Sequence, residues 1–316
     1  MKTPKFWKDI NFISILLWPL SLLYFIFYKI RCLINFRPYK SKIPIICIGN
    51  LIAGGSGKTP LAVEIAKILK NNNKNYCFLS KGYGGKFKGV KKVSINDDFL
   101  LVGDEPLILA KYGDVFISKN RVKGLKYINK NFNYDYIIMD DGLQNPTFLK
   151  DIVILVINGS FGFGNNMFLP AGPLRDRLKY IYNRVDLVVL NGKDEKNIAK
   201  LCKEYDLPFI EAEIKVNIEN IDLNEEYKAF CGIGIPEKFK KTLEENNIKI
   251  RDFIVFEDHY KYTKLDIEKF KNNDKISLIT TEKDWIKLDL ESKKSIKYLD
   301  IFLQFKNKEL IEELIK

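Results

Sequence analysis

The hydrophobic pattern changes character along the chain. Residues 10–28 (INFISILLWPLSLLYFIFY) form one unbroken apolar run with no side chain charged at neutral pH and no polar face. Beyond it the apolar stretches shorten to strand length, at 43–48, 115–117, 136–139, 152–157 and 187–190. Helical spacing fills the intervals, as with Leu61, Ile65, Ala66 and Leu69 within 58–70. Strands apolar on both faces, alternating with helices, predict an α/β fold built on a parallel sheet. Further runs at 229–235, 253–256 and 277–281 predict strands of a smaller second unit, and 308–316 predicts a last helix that packs back on the first. The expected organisation is a membrane-associated helix over 1–36, a main α/β domain over 37–221 and a smaller C-terminal domain over 222–316.

At about 1.5 Å per residue the first run makes roughly 28 Å of helix, just short of a hydrocarbon core of about 30 Å. Its Ile, Leu and Phe residues contribute about −6 kcal/mol to insertion, reduced by Asn11, Ser14, Pro19 and Ser21. Two placements stay open: a span, or a surface-lying helix bent at Pro19 with Trp7, Trp18, Tyr24 and Tyr28 at the headgroups. A cleaved signal peptide is disfavoured, because no small-x-small site precedes Lys29 and Arg31. Charge sharpens this picture. The chain of 316 residues has 52 Lys plus Arg against 40 Asp plus Glu, a formal +12. Residues 1–42 hold eight basic residues against Asp9 alone, a net +7, so only +5 is spread over the remainder. The excess is therefore a membrane-surface signature, and without an aromatic-basic stripe elsewhere no nucleic-acid partner is expected. The larger basic cluster follows the apolar run, which predicts that residues 29 onward are cytoplasmic, on the inner membrane's cytoplasmic face. Five scattered cysteines without C-x-x-C spacing point to a reducing compartment and against a disulfide framework or zinc site.

The chemistry begins after the strand at 43–48. Residues 49–60 read GNLIAGGSGKTP, so strand, glycine loop and helix arrive in the order a phosphate site requires. Gly54, Gly55 and Gly57, with Ser56 between them, let backbone N–H groups turn around phosphate oxygens at the positive end of the new helix. Lys58 supplies a mobile charge for the β- and γ-phosphates and the Thr59 hydroxyl a ligand for Mg²⁺. The pattern G-x-x-x-x-G-K-[ST] departs at its entry, where Ile52 stands in place of glycine. The strand ending in Asp140 and Asp141 offers the acidic site for the metal, with the choice between the two open. The fold class is thus a P-loop NTPase-type α/β sheet domain. Neither NGKD (191–194) nor TEKD (281–284) places lysine second, which disfavours GTP.

The segments GNLIAGGSGKTPL (49–61), LSKGYGGK (79–86), VGDEPLILA (102–110), MDDGLQN (139–145), LPAGPLRD (169–176), FEDHY (256–260) and TTEKD (280–284) carry a more specific message. In this order, behind an apolar N-terminus, they resemble the tetraacyldisaccharide 4′-kinase family of lipid A biosynthesis over about residues 1–290. Ile52 is typical of that family's loop, whereas Lys81 stands where arginine is frequent and Asn145 where histidine is common. The resemblance implies transfer of the γ-phosphoryl group of ATP, with Mg²⁺, to the 4′-hydroxyl of a tetraacylated glucosamine disaccharide 1-phosphate, giving lipid IVA.

It also implies roles for residues that spacing alone leaves silent. Arg121 and Arg175 are expected near phosphate, the first with the nucleotide and the second in catalysis beside Lys58 and Asp141. Asp104 is expected as the base that takes the sugar hydroxyl's proton, paired with His259 across the cleft. Glu105 and Gln144 are expected to hold neighbouring groups, Glu105 on the metal side and Gln144 on the nucleotide side. Tyr83, in the Gly82–Gly85 turn, is expected to touch the acylated sugar. The competing function is a membrane-tethered P-loop ATPase that drives a protein partner. The GDEP and DHY blocks favour the kinase, since activating water needs no acyl-sugar cleft.

Overall fold

The computed structural model describes residues 4–34, 37–258, 260–271 and 276–316. Its strands are β1 (Ile45–Gly49), β2 (Tyr76–Ser80), β3 (Val90–Val93), β4 (Asp114–Ser118), β5 (Tyr136–Asp140), β6 (Ile152–Asn158), β7 (Leu187–Asn191), β8 (Phe209–Asn217), β9 (Glu226–Cys231), β10 (Lys249–Val255), β11 (Ser277–Thr281) and β12 (Ile296–Phe305). They lie in one sheet, in the order β10-β9-β11-β12-β8-β7-β6-β1-β5-β2-β4-β3. Among these pairs only β3–β4 and β8–β12 are antiparallel.

The central strands are apolar on both faces because helices cover both. Ile46, Ile48, Phe78 and Ile138 point to the side of helix α2 (Lys58–Asn71), meeting Leu61, Ile65 and Leu69. The alternate residues Ile45, Cys47, Leu79 and Met139 point the other way, onto Leu125 and Ile128 of helix Arg121–Asn131. Parallel strands also end together. Gly49, Ser80, Ser118, Asp140 and Asn191 close β1, β2, β4, β5 and β7 along one edge of the sheet, where α/β folds place their ligands.

The second half of the chain is turned to face that edge. β8 pairs with β7 as far as Asn191↔Ala212, then runs on, and its overhang from Ala212 to Asn217 pairs with β12. The outer end of β12 pairs in turn with β11, Leu278↔Ile296 to Thr281↔Leu299. Since β12 is antiparallel to β8, the carboxyl ends of β9 and β11 point back toward those of β1 and β5 across a cleft. The apolar run at 229–235 stops as a strand at Cys231, because Gly232 and Gly234 break it and Pro236 starts a helix at its first position.

Helix α1 (Phe12–Ile34) is long and apolar enough to cross a membrane. Its N-terminus is capped reciprocally, Asn11 N–H donating to Ser14 Oγ (2.8 Å) and Ser14 N–H to Asn11 Oδ1 (3.1 Å). Its buried residues are polar, Ser14 and Ser21, while Phe12, Ile15, Leu16, Trp18, Leu23 and Phe27 are exposed. Ser21 Oγ donates to Phe168 O (2.8 Å) and accepts from Ala171 N (3.1 Å), and Tyr28 Oη donates to Asp176 (2.7 Å). The helix thus lies along the 168–176 segment with its apolar side outward.

At the other end of the chain, Ile311 and Ile315 are fully buried in the cluster that α2 shares with Leu303 and Phe305. Ile311→Ala is expected to cost about 2–5 kcal/mol, read as a lower midpoint in urea unfolding of the full chain.

Candidate active site

The loop from β1 to α2 is held from behind by the 173–175 segment. Ala53 N–H donates to Pro173 O (2.8 Å), Arg175 N–H donates to Leu51 O (2.7 Å), and Ile52 forms an antiparallel bridge with Leu174. This explains the missing glycine at the loop entry. Ile52 is only 6% exposed and packs with Leu51, Leu155, Phe168 and Leu174, so position 52 needs an apolar side chain where an unsupported loop needs freedom of turn. Asn50 braces the loop from inside: fully buried, it donates to Gly54 O (3.2 Å) and its carbonyl accepts from Gln144 Nε2 (2.7 Å).

Gly57 marks where the loop becomes helix. Its φ of +100° suits glycine, and a β-carbon there would lie 2.7 Å from Asn191 Nδ2, which donates to Ser56 O (3.0 Å). Gly54, Gly55 and Ser56 precede it, and Lys58 and Thr59 lie in the first turn of α2, which itself contains no acidic residue. The free N–H groups of that turn and the helix dipole make an anion site. The Ser56 hydroxyl, also buried there, has no hydrogen-bond partner among the described residues.

Two adjacent carboxylates at the end of β5 receive opposite treatment. Asp141, at a left-handed φ of +54°, is gripped by the Arg175 fork, Nη1 to Oδ2 at 3.1 Å and Nη2 to Oδ1 at 2.9 Å, with Lys58 Nζ at 3.7 Å. Arg175 also bonds the side-chain oxygen of Asn50. Burial works to raise the Asp141 pKa, but Lys58 and Arg175 outweigh it and hold the carboxyl well below its usual range. Asp140 is only 3% exposed and its Oδ1 has no hydrogen-bond partner among the described residues. Burial first, then the negative charges of Glu105 and Asp141, push its pKa up to about 7 against the pull of Lys58 and Arg121. Buried Arg121 is tied to backbone, donating to Ser118 O (2.9 Å) and Asp140 O (3.2 Å).

Asp104 and Glu105 open the short helix Asp104–Leu109, where Asp104 Oδ1 accepts from the Glu105 N–H (3.0 Å). The preceding Gly103 has φ +91°, and a β-carbon there would sit 2.5 Å from Tyr83 O, which locks the 82–85 turn onto this helix start. Tyr83 itself stands at the rim, 60% exposed. Glu105 pairs with Lys283 (3.1 Å), which arrives from the end of β11 across the cleft. His259 lies outside the described residues. Its loop packs on Gly232 at the end of β9, where an added β-carbon would lie 2.8 Å from Glu257 O and 3.2 Å from Tyr260 Cβ.

The structure therefore gathers Lys58, Thr59, Arg121, Asp140, Asp141, Gln144 and Arg175 at one sheet edge, with Asp104 and Glu105 beside them and Tyr83 peripheral. Three residues emerge that sequence reasoning left without a role: Asn50, Asn191 and Lys283. Asn50 and Asn191 directly follow or end strands on the ligand edge, a readable signal once strand ends are known. Lys283 sits in the TTEKD block, where only pairing across the cleft reveals its target.

This is the loop, lysine and buried strand-end aspartate of a P-loop nucleotide enzyme. The family model described as Tetraacyldisaccharide-1-P 4′-kinase matches residues 13–316, and the chain belongs to that family. Among curated relatives, the tetraacyldisaccharide 4′-kinase of Rickettsia canadensis is 38% identical over 317 residues, covering 99% of this chain and 96% of the relative. That of Rickettsia akari is 38% identical over 315 residues, with coverage of 99% and 96%. The crystal structure of LpxK from Aquifex aeolicus in complex with ATP superposes with a TM-score of 0.80 at 29% identity, covering 96% of this chain and 98% of that one.

The raised pKa of Asp140 carries a sign that can be checked. The folded state holds this proton up to about pH 7, whereas the unfolded chain releases it near 3.8. Folding takes up a proton between those values, so this group's contribution to stability is full below about pH 4 and is lost as pH rises through 7. Asp140→Asn, neutral at every pH, is expected to melt higher than the wild type at pH 8 without nucleotide, with the gap closing toward pH 4. Melting curves across that range test it, and a constant gap would refute the assignment.

Proposed function

We propose that the protein transfers the γ-phosphoryl group of ATP to the 4′-hydroxyl of a tetraacylated glucosamine disaccharide 1-phosphate, giving lipid IVA in lipid A biosynthesis. The observation that carries this reading is the placement of Asp104 and Glu105 beside a P-loop whose rear wall is the LPAGPLR segment bearing α1. A carboxylate is thereby offered to an acceptor hydroxyl at the nucleotide site, and the same segment leads to a lipid-facing helix.

In this reading the loop N–H groups from Gly54 to Thr59 and Lys58 cradle the β- and γ-phosphates, with Gln144 and Asn191 bracing the loop. Arg175 and Lys58 face the oxygens that gain charge as the phosphoryl group moves, and Asp141 orients both cations. Arg121 supports the Asp140 backbone and adds positive field. The residues also fit Mg²⁺: the buried Asp140 Oδ1 has no hydrogen-bond partner among the described residues, and Thr59 lies in the first turn of α2. Asp140, Thr59 and Glu105 would hold the ion, which would supply charge neutralisation at the nucleotide phosphates.

Asp104 accepts the hydroxyl proton as the new P–O bond forms and the bond from the γ-phosphorus to the bridging oxygen breaks, releasing ADP, with His259 as its partner from the facing loop. Tyr83 meets the acylated sugar at the rim. The unit beginning near residue 222 supplies the facing wall. The exposed apolar side of α1 beds into the bilayer at its cytoplasmic face, where the basic cluster after the helix meets anionic headgroups. The acyl chains then need not leave the membrane for the sugar to reach the site.

Asp104→Ala and His259→Ala are each expected to lower kcat by about 10²–10⁴-fold with ATP affinity kept within about threefold. Lys58→Ala is expected to weaken ATP binding as well as abolish turnover. ADP release by the wild type should rise on adding the acylated disaccharide, with label from γ-³²P-ATP appearing in the lipid. Release indifferent to the lipid would instead mark an ATPase.

A further inference from the structure

The TTEKD block enters none of the roles above, yet each of its last three residues reaches a different part of the molecule. Glu282 pairs with Lys111 (2.5 Å), just beyond the helix Asp104–Leu109, and Lys111 also donates to Tyr298 Oη (2.9 Å). Lys283 pairs with Glu105 at the opposite end of the same helix (3.1 Å). Asp284 turns inward: its Oδ2 accepts from Gly232 N (3.0 Å) and Thr281 Oγ1 (2.7 Å), and its Oδ1 from Lys287 (3.0 Å) in a fully buried pair. The short helix Glu282–Trp285 therefore grips helix Asp104–Leu109 at both ends while it fixes the turn on which the 256–262 loop rests.

An exposed ion pair alone would contribute little. Here the lysine answers a specific need, because Asp104, Glu105 and Asp140 crowd carboxylates into one corner, and the Lys283 ammonium lies in the field of all three. Without a cation from the facing wall their repulsion would turn Glu105 outward and shift the helix start that carries Asp104. We propose that Lys283 is a positioning residue for phosphoryl transfer, holding the Glu105 carboxylate and through it the first turn of helix Asp104–Leu109 in register with the facing loop. This rests on the kinase reading.

The test is steady-state kinetics on the full-length protein with the acylated disaccharide and ATP, alongside ATP affinity and melting temperature. Lys283→Met is expected to lower kcat by about 10–100-fold, the scale of a misplaced reacting group, with KM for the lipid and ATP affinity within about threefold and melting unchanged. Lys283→Arg should recover most of the rate. Combining Lys283→Met with Glu105→Gln should be no slower than the slower single variant, since Lys283 acts through Glu105 whatever else Glu105 does. A Lys283→Met enzyme within twofold of wild-type kcat overturns the inference, as do losses that multiply in the double variant or an arginine variant as impaired as methionine. A wild type that leaves the disaccharide unphosphorylated overturns the kinase reading and this inference together.

Discussion

The antiparallel pairing of β12 with the overhang of β8 is the constraint on which the rest of the molecule depends. Had the later strands continued in the parallel sense of β7 and β8, their carboxyl ends would lie along the same edge as β1 and β5, side by side with the nucleotide loop. Reversal at a strand that outruns its neighbour places them opposite it. Two facing walls result, and Lys283 from the end of β11 reaches Glu105 across the cleft between them.

A second dependence runs through residues 168–177. One side of this segment supports the phosphate loop through Pro173, Leu174 and Arg175, and the other receives α1 through Phe168, Ala171 and Asp176. The membrane helix and the nucleotide loop are therefore two faces of one short wall. Arg175 belongs to both, since its backbone N–H closes on Leu51 while its side chain reaches Asp141.

Much of this was legible in advance, for identifiable reasons. The central strands were readable because burial on both faces leaves no polar positions, and the phosphate loop because its glycines serve backbone geometry. The family resemblance, and not spacing, singled out Asp104, Arg121 and Arg175 as candidates. The division of labour between Asp140 and Asp141 was beyond reach, as it arises from Arg175 gripping one and burial isolating the other. Lys283 escaped for the same reason: its partner is 178 residues away in the chain, and ion pairs at such separation leave no periodic trace.

The inverted polarity of α1 has a consequence for where the molecule works best. Ser21 and Tyr28 fasten the helix to the body by hydrogen bonds, Tyr24 and Phe25 pack on Phe168, and most of its other apolar residues face away. The Ser21 bonds are buried and so shielded from solvent, whereas the outward apolar face is left bare in water. Surrounded by hydrocarbon, that face would be covered and the part-buried Tyr28 bond would lose its competing solvent. A bilayer over that face would act as a structural ligand for the wall behind the phosphate loop.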